Sequence, residues 1–261
     1  MDPGIAEHGL HDRARLAFSA ARAAALPGCF LTVETAGLRA LVTTSPELGF
    51  LNSVTGVTEA SIEELPDVLS AFTAADAPAP SLTTTGHPTA ELGQRLRYLG
   101  FTPAGHRPLA VIDLPVTSGS SAGARGQLRV TEAVADEVGV FLDVLAAGYE
   151  APRAVRDFLL AEHSAPGVLR LLGWRGDEPV AAAGMSLHGG LAVLGGTAVV
   201  PAARGLGGQS VLLQHRLKVA QAAGCVAAAA TAALSSPSAR NLARAGFTVQ
   251  ARPQWRRPTP L

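Results

Sequence analysis

The sequence is poor in several residue types, and each shortage narrows the possible functions. Only 2 of its 261 residues are cysteine, Cys29 and Cys225, and neither belongs to a CxxC pair or a Cys/His cluster. A disulfide framework or a zinc site is therefore not indicated. Charged residues make up 16% of the chain, with 21 basic and 21 acidic residues. This balance provides no overall positive field, so nucleic acid is not an expected partner.

Long apolar runs are also missing. The N-terminus mixes acidic and basic residues without an apolar core of signal-peptide length, and no run approaches the roughly 20 residues of a membrane span. We therefore expect a cytoplasmic protein that does not engage a membrane. Apolar residues still make up 48% of the chain, enough for a sizeable core. The pattern leaves open whether the protein is a monomer or a homodimer.

A glycine- and serine-rich segment, "VTSGSSAGARG", divides the chain. Such a segment is typical of a flexible connection, which predicts a linker at residues 116–126 between domains at residues 1–115 and 127–261. Both halves end alike, with "LRYLGFTPAGHRPLAV" from Leu96 and "LARAGFTVQARPQWRR" from Leu242. A tandem repeat of one fold is the simplest interpretation.

The hydrophobic pattern predicts alternating strands and helices in both halves. The second half has strands from about Val168, Val180 and Leu191, and the first has strands near Phe30, Ala40 and Phe50. The run "CVAAAATAAL" favours helix by alanine propensity, but it follows a helix and lacks polar residues. We expect it to be a buried strand.

The segment "TAVVPAARGLGGQSVLLQ" combines a strand, a glycine-rich turn and a helix. Backbone N–H groups at a helix start lack partners, and Gly205, Gly207 and Gly208 would let the chain approach an anion closely. Arg204 would add charge or fix the loop. The nucleoside-triphosphate motif GxxxxGKS/T and the dinucleotide motif GxGxxG are both missing here. The loop alone is compatible with an anion site or with a ligand-free turn.

The neighbouring segments resemble the GNAT superfamily of acyl-CoA N-acyltransferases. The strand "AVVP", the loop "AARGLGGQSVLL", a helix, a small-residue strand and "SARNLARAGF" follow one another as in that family. Its loop motif, Gln/Arg-x-x-Gly-x-Gly/Ala, is matched from Arg204 to Gln209, with Gln209 in the last place. The resemblance covers about residues 127–253 and is weak in the first half.

The resemblance implies an α/β (α+β) fold of two tandem GNAT-like domains, each with a mixed, mostly antiparallel sheet flanked by helices. It also implies acetyl-CoA or another acyl-CoA as co-substrate, no metal, and a small-molecule amine as acceptor. The backbone at Thr197, Ala198 and Val199 would pair with the pantetheine arm. The loop that holds the pyrophosphate would run from Gly205 to Ser210, comprising Gly205, Leu206, Gly207, Gly208, Gln209 and Ser210, and Arg204 before it would also be a cofactor-binding residue.

The chemistry implied is direct attack of the amine on the thioester. Many family members protonate the departing thiolate with a tyrosine four positions before the last Gly-Phe, and carry an asparagine seven positions earlier. Those positions here are Leu242 and Ser235, so the usual acid is missing. Either another residue or water serves, or the chain binds the thioester without fast transfer. Ser235 is a candidate cofactor-binding residue, and Asn241 caps a turn or touches the cofactor.

Three other residues are catalytic candidates. Tyr149 and Glu150 follow the first helix of the second half, where the family has its substrate loop; the alternative is that they are solvated loop residues. His188 lies at a strand end beside two glycines and is either a base or an ordinary turn histidine.

The first half has no equivalent of "ARGLGG". Its candidate strand is followed by Glu59, Glu63, Glu64 and Asp67, which would repel phosphates. We interpret it as a degenerate copy. Three functions stay open: an N-acyltransferase, a non-catalytic acyl-CoA-binding regulatory module, or an acyltransferase that uses another carrier such as aminoacyl-tRNA.

Overall fold

The computed structural model describes residues 2–35, 37–116, 128–149 and 151–258. The chain forms two compact units. One contains residues 110–249, and the other contains residues 2–109 together with residues 250–258. Nearly all of the predicted linker lies outside the described residues, and the predicted domain boundaries stay a prediction.

The first half of the chain begins with a long helix. The side chain of Asp2 accepts a hydrogen bond from the Gly4 N–H at 2.9 Å and so caps this helix. The elements are α1 (Pro3–Ala23), β1 (Phe30–Thr35), β2 (Leu38–Thr43), β3 (Ser53–Val57), α2 (Leu65–Ala74), β4 (Ser81–Thr84), α3 (Ala90–Tyr98), β5 (Thr102–His106) and β6 (Leu109–Asp113).

The second half places two helices before a group of long strands. Its elements are β7 (Arg129–Glu132), α4 (Val138–Tyr149), α5 (Arg153–Ser164), β8 (Val168–Arg175), β9 (Glu178–His188), β10 (Leu191–Val199), α6 (Gly208–Ala222), β11 (Ala227–Thr231), α7 (Pro237–Arg244), β12 (Thr248–Gln250) and β13 (Pro253–Arg256).

Each unit is built around one mixed sheet. The first unit has the strand order β1-β2-β3-β4-β13-β5, and the second has β12-β6-β11-β10-β9-β8-β7. Each sheet contains a parallel pair, β3 with β4 and β10 with β11, whereas β1–β2, β2–β3, β7–β8, β8–β9 and β9–β10 are antiparallel. The predicted fold class is confirmed: two mostly antiparallel sheets flanked by helices.

The two halves of the chain exchange a strand. Strand β6 follows β5 in sequence but lies between β11 and β12 in the second sheet, and β13 follows β12 but lies between β4 and β5 in the first. Trp255 of β13 is 4% exposed and belongs to the core of the first unit, beside α2 and α3. The boundaries between the two compact units accordingly fall after residues 109 and 249.

The core of the second unit covers both faces of its sheet. Helix α4 packs on Leu172, Ala182 and Ala198, and α6 packs on the opposite face. The alanine-rich run forms β11 as predicted, and residues 227–229 are fully buried between neighbouring strands. Burial thus outweighs the helix propensity of alanine.

One predicted strand is misplaced. Phe50 lies in a short 3₁₀ turn, Pro46–Leu51, and its side chain is exposed. The strand begins only at Ser53, because Pro46 and Gly49 interrupt the extended backbone before it.

In the part of the chain that the structure describes, no helix is long and apolar enough to cross a membrane.

Candidate functional site

Two neighbouring parallel strands of the second unit, β10 and β11, separate in the middle of the sheet. The pairing of β10 with β11 ends at Leu194 and Ala230, whereas β10 continues along β9 to Val199. The β9–β10 register shifts at this point, and Gly196 has a φ of 57°. In the described chain, residues 195–199 therefore keep one edge without a strand partner.

The glycine loop connects this open edge to helix α6. Gly205 has a φ of 82° and Gly207, the residue that precedes the helix, a φ of 81°. Both angles favour glycine, because a Cβ is disfavoured in the left-handed region. The N–H groups of Gly208, Gln209 and Ser210 form the first turn and have no acceptor within the helix. With no acidic residue in that turn, this helix end is suited to an anion.

A cleft of about 860 Å³ opens between the strands and the loop. Its basic lining residues are Arg204, Arg216 and Arg244, and none of the described lining residues is acidic. The charge of the cleft therefore favours an anionic ligand. The predicted cofactor residues that line it are Thr197, Ala198, Val199, Arg204, Gly205, Gly207, Gly208, Gln209, Ser210 and Asn241.

Two predicted cofactor residues are not among the lining residues. Leu206 has an exposed side chain between the two positive-φ glycines of the loop. Ser235 occupies a turn with a φ of 60°, and the next residue, Ser236, lines the cleft in its place. The Ser236 hydroxyl also caps α7 by accepting from the Ala239 N–H at 3.1 Å.

Arg204 holds the loop in place. Its Nη2 donates to the carbonyl oxygen of Gly148 at the end of α4, at 2.9 Å, and its Nε donates to the carbonyl oxygen of Val199 at 3.4 Å. The sequence left open whether this arginine adds charge or fixes the loop. These two bonds show that it does fix the loop, and its place in the lining adds a positive charge as well.

Asn241 links the two helices that border the cleft. Its side-chain amide donates to Gln209 Oε1 at 2.7 Å, which joins α7 to the first turn of α6. Gln209 is the residue at which this sequence departs from the family's loop motif. The longer side chain is accommodated because it finds this partner.

The three catalytic candidates have different positions. Tyr149 ends α4 and lines the cleft. Glu150 lies outside the described residues. His188 lies opposite Leu191, at the far end of β10 from the loop, and is not among the lining residues. The His188 Nε2 is 2.8 Å from the hydroxyl oxygen of Ser186.

The position of the family's tyrosine does lie in the cleft. Leu242 is 5% exposed and lines the wall, but its side chain has no proton to donate. Cys225 is buried outside the lining residues, and burial raises the pKa of its thiol, which makes it a poor nucleophile. Among the residues with described positions, no group of three or more His, Cys, Asp or Glu side chains is arranged to hold a metal ion.

Sequence reasoning missed two arginines of the cleft. Arg216 lies on the face of α6 that packs on the sheet, next to Leu212 and Leu217, and Arg244 ends α7. The spacing of Arg216 from the leucines places it on the buried face, and a charged residue in that pattern is the feature that identifies it.

A comparison with models of protein families found a match within the second unit. Residues 141–247 match the model of the acetyltransferase (GNAT) family. Comparison with curated proteins gave no significant match. The matched segment contains the parted strands, the glycine loop and α7, which are the parts that build the cleft.

Several solved structures share the fold. A GCN5-related N-acetyltransferase from Kribbella flavida has a TM-score of 0.62 at 17% identity, covering 95% of this chain and 96% of its own. One from Sphaerobacter thermophilus has a TM-score of 0.63 at 16% identity, covering 86% and 78%. The C-terminal domain of a putative lysylphosphatidylglycerol synthetase from Agrobacterium fabrum has a TM-score of 0.56 at 11% identity, covering 94% and 93%.

At these identities the structures establish the shared fold, and the family match adds the motif-bearing segment. Both agree with the resemblance carried by the loop and the strand before it. Residues 141–247 of this chain therefore form a domain of the GNAT acetyltransferase family.

Proposed function

We propose that this protein is an N-acyltransferase that moves an acetyl or other short acyl group from acyl-CoA to the amine of a small molecule. The observation that carries the proposal is the open edge of β10 leading directly into the glycine loop and the start of α6. An extended arm and a diphosphate need these two features side by side.

The residues of the cleft fit acyl-CoA in three ways. The edge at residues 195–199 offers backbone groups to which the pantetheine amides pair as an added strand does. The first-turn N–H groups of α6 would bind the pyrophosphate. Arg244, at the cleft wall, supplies positive charge for the remaining phosphate of the carrier.

The acyl transfer requires no covalent enzyme intermediate, because a thioester is already activated. In the proposed ternary complex the neutral amine attacks the carbonyl carbon, and a backbone N–H of β10 near its register shift with β9 stabilises the oxyanion. Tyr149 is the proposed acid–base residue of the described part of the cleft. Glu150 stays a prediction, and His188 has no part in this proposal since it lies at the other end of β10.

Two alternative functions must be distinguished from N-acyl transfer by experiment. Leu242 lacks a proton to donate, which favours a non-catalytic acyl-CoA-binding module. The shared fold with a putative lysylphosphatidylglycerol synthetase domain favours a different acyl carrier, such as aminoacyl-tRNA. The small cleft and the balanced net charge argue for CoA over a large polyanion.

Calorimetry with acetyl-CoA, followed by thiol release across a panel of amines, tests the proposal. We expect binding and amine-dependent release of CoA. Binding without turnover on any amine would support the binding module, and a lack of binding would support another carrier.

A matched pair of variants tests the site itself. Ser210→Asp adds a negative charge to the first turn of α6, where the helix dipole favours it, so the fold should be retained. The same charge repels a pyrophosphate, and acetyl-CoA affinity should fall roughly 100-fold. Ser210→Asn has nearly the same size without the charge and should bind almost as the wild type does. Equal affinity of the two variants would contradict this position for the phosphates.

A further inference from the structure

Arg216 lies where the two strands of the cleft separate. Its Nη1 donates to the carbonyl oxygen of Gly184 at 3.3 Å, and Gly184 is paired with Gly195 across β9 and β10. Gly195 is the first residue of β10 beyond the pairing with β11, which ends at Leu194. The guanidinium therefore lies at the inner end of the open strand edge, and Arg216 lines the cleft there.

The strands at this point carry almost no side chains. Gly184, Gly195 and Gly196 meet there, and a Cβ on Gly196 would lie 2.2 Å from His163 Nε2. His163 packs on the face of the sheet that α5 covers, whereas Arg216 reaches the strands from α6 on the other face. A group that enters between the strands thus meets backbone and the Arg216 guanidinium.

A cation is costly at this position. Arg216 is 5% exposed, and the same face of α6 is otherwise made of Leu212, Leu213, Leu217 and Ala220. Burying a guanidinium is less favourable than packing an apolar residue of similar volume. The guanidinium stays protonated at any pH at which proteins fold, so it can stabilise negative charge but cannot serve as a proton donor.

We propose that Arg216 stabilises the CoA thiolate as it leaves the acyl carbonyl, and thereby replaces the proton donor that Leu242 does not supply. This inference rests on the proposed function. The open edge of β10 directs the end of the pantetheine arm toward Gly195, which brings the sulfur to the guanidinium.

The step balances without a residue that donates a proton to the sulfur. The amine lone pair forms the C–N bond, the C–S bond breaks, and its electron pair stays on sulfur as a thiolate beside Arg216. The proton lost by the amine passes to solvent by way of Tyr149, the acid–base residue proposed above. The thiolate takes a proton from water when CoA is released.

Other charged and titratable groups face the same region. They are Tyr149 from α4, Glu162 and His163 from α5, Arg170 from β8, and Arg204 and Arg244 at the loop and α7. Arg170 Nη1 donates to the carbonyl oxygen of His163. The experiment must therefore separate Arg216 from His163 in particular.

The test is titration of the thiol of CoA bound to the protein, followed by the ultraviolet absorbance of the thiolate. Desulfo-CoA, which has the same phosphates and arm without the sulfur, provides the blank. An opposite charge at contact distance lowers a pKa by roughly 1–3 units. We expect the bound thiol of the wild-type complex to ionise at least about one unit below free CoA.

Variants assign the shift to one residue. Arg216→Gln should return the bound thiol to the value of free CoA, and Arg216→Lys should keep part of the shift. Lys218→Gln removes a charge from the exposed face of the same helix. It should change neither the pKa of the bound CoA thiol nor the transferase activity. His163→Gln should retain the shift. In turnover, Arg216→Gln should lower kcat roughly 100-fold, with KM for acetyl-CoA nearly unchanged.

The outcomes are distinguishable. Binding of CoA with an unshifted thiol in the wild type overturns the role of Arg216 and leaves the proposed function standing. A shift that persists in Arg216→Gln, or that disappears in His163→Gln instead, also overturns it. If calorimetry detects no CoA binding, the proposed function fails and this inference fails with it.

Discussion

The two units share a local strand arrangement, in which the strand edge is paired in the first unit and open in the second. Each has a parallel strand pair in which one strand is irregular beside a positive-φ glycine. In β3, near Gly56, the register with the parallel neighbour β4 shifts, and in β10, near Gly196, the register with the antiparallel neighbour β9 shifts. Strand β3 meets β4 again after its irregularity, with Val57 opposite Thr84. Strand β10 loses β11 and does not regain it. Of these two described strands, β10 therefore keeps an open edge at this place and β3 does not.

The turns that follow these strands differ in the same way. In the first unit the Ser61 hydroxyl donates to the Gly56 carbonyl at 2.8 Å and accepts from the Thr58 N–H at 2.9 Å. The acidic residues of this turn have partners of their own, Glu59 with Thr89 and Glu63 with Arg95. In the second unit glycines leave the first-turn N–H groups of α6 available. The comparison teaches that a serine side chain occupies backbone groups in the turn of the first unit, whereas the loop of the second unit has glycines at the corresponding place.

The largest expected effect comes from adding a methyl group at the two irregularities. A Cβ on Gly56 would lie 2.1 Å from the Gly37 carbonyl oxygen, whereas one on Gly196 would lie 2.2 Å from the ring of His163. Gly56→Ala should lower the free energy of unfolding by about 3 kcal/mol, since backbone cannot yield and the left-handed φ adds strain. Gly196→Ala should cost less, because a ring can shift. Urea denaturation measures both.

Gly86→Ala is the control for the first unit, because Gly86 has a φ of 73° and nothing within 4 Å of its Cβ position. It should carry the backbone strain alone. If Gly86→Ala destabilised the protein as much as Gly56→Ala, the close approach to Gly37 would have no role.

The second prediction concerns the hydroxyl of Ser61, which holds the turn of the first unit by hydrogen bonds. Ser61→Ala leaves the Gly56 carbonyl and the Thr58 N–H without a side-chain partner at the buried position of Ser61. The free energy of unfolding should fall by about 2 kcal/mol, while acetyl-CoA affinity is unchanged. Ser70→Ala, at an exposed hydroxyl, should have almost no effect. A loss of CoA affinity in Ser61→Ala would contradict the separation of the two roles.

The third prediction loosens the loop of the second unit. Arg204→Ala removes the bonds to Gly148 and Val199, and acetyl-CoA affinity should fall about tenfold with a small change in stability. Arg204→Lys should rescue little, because an ammonium does not reproduce the fork of two donors. Calorimetry on both variants, with the exposed Arg175→Ala as control, checks this. Full affinity in Arg204→Lys would mean that charge alone matters.

The smallest effect is a pH dependence confined to the first unit. Burial lowers the pKa of His11, and this outweighs the nearby Glu34, which raises it. The folded protein then binds fewer protons than the unfolded chain between the lowered pKa and about 6.5, so unfolding free energy should fall as the pH drops through this window. His11→Gln should remove this slope, whereas the exposed His87→Gln should retain it. An unchanged slope in His11→Gln would assign it elsewhere.

Local patterns were enough to predict the loop and most elements. The strand, the glycines and the helix of the cleft depend on neighbouring residues, and the alanine-rich strand β11 depends on its position between helices. The helical spacing marks Arg216 as buried, but its position beside the separating strands depends on which strands pair, as does the end of β10 at which His188 lies. The sequence therefore predicted where the cleft is but missed the cation at its inner end.

The strand exchange escaped prediction for a related reason. The segments that become β6 and β13 follow similar "GFT" motifs, and each looks equally suited to its own sheet or to the other. Register and neighbours, rather than composition, decide between the two. The similar motifs favour a tandem repeat, which stays a prediction.

The exchange of β6 and β13 also bears on how the gene product can be cut. A fragment that stops at residue 115 would carry β6 without its sheet and would have a gap between β4 and β5. The complementary fragment, which starts at residue 116, would carry β13 without its sheet and would have a gap between β11 and β12. Neither piece should be stable when expressed alone, yet the two together should reassemble, as split reporters do.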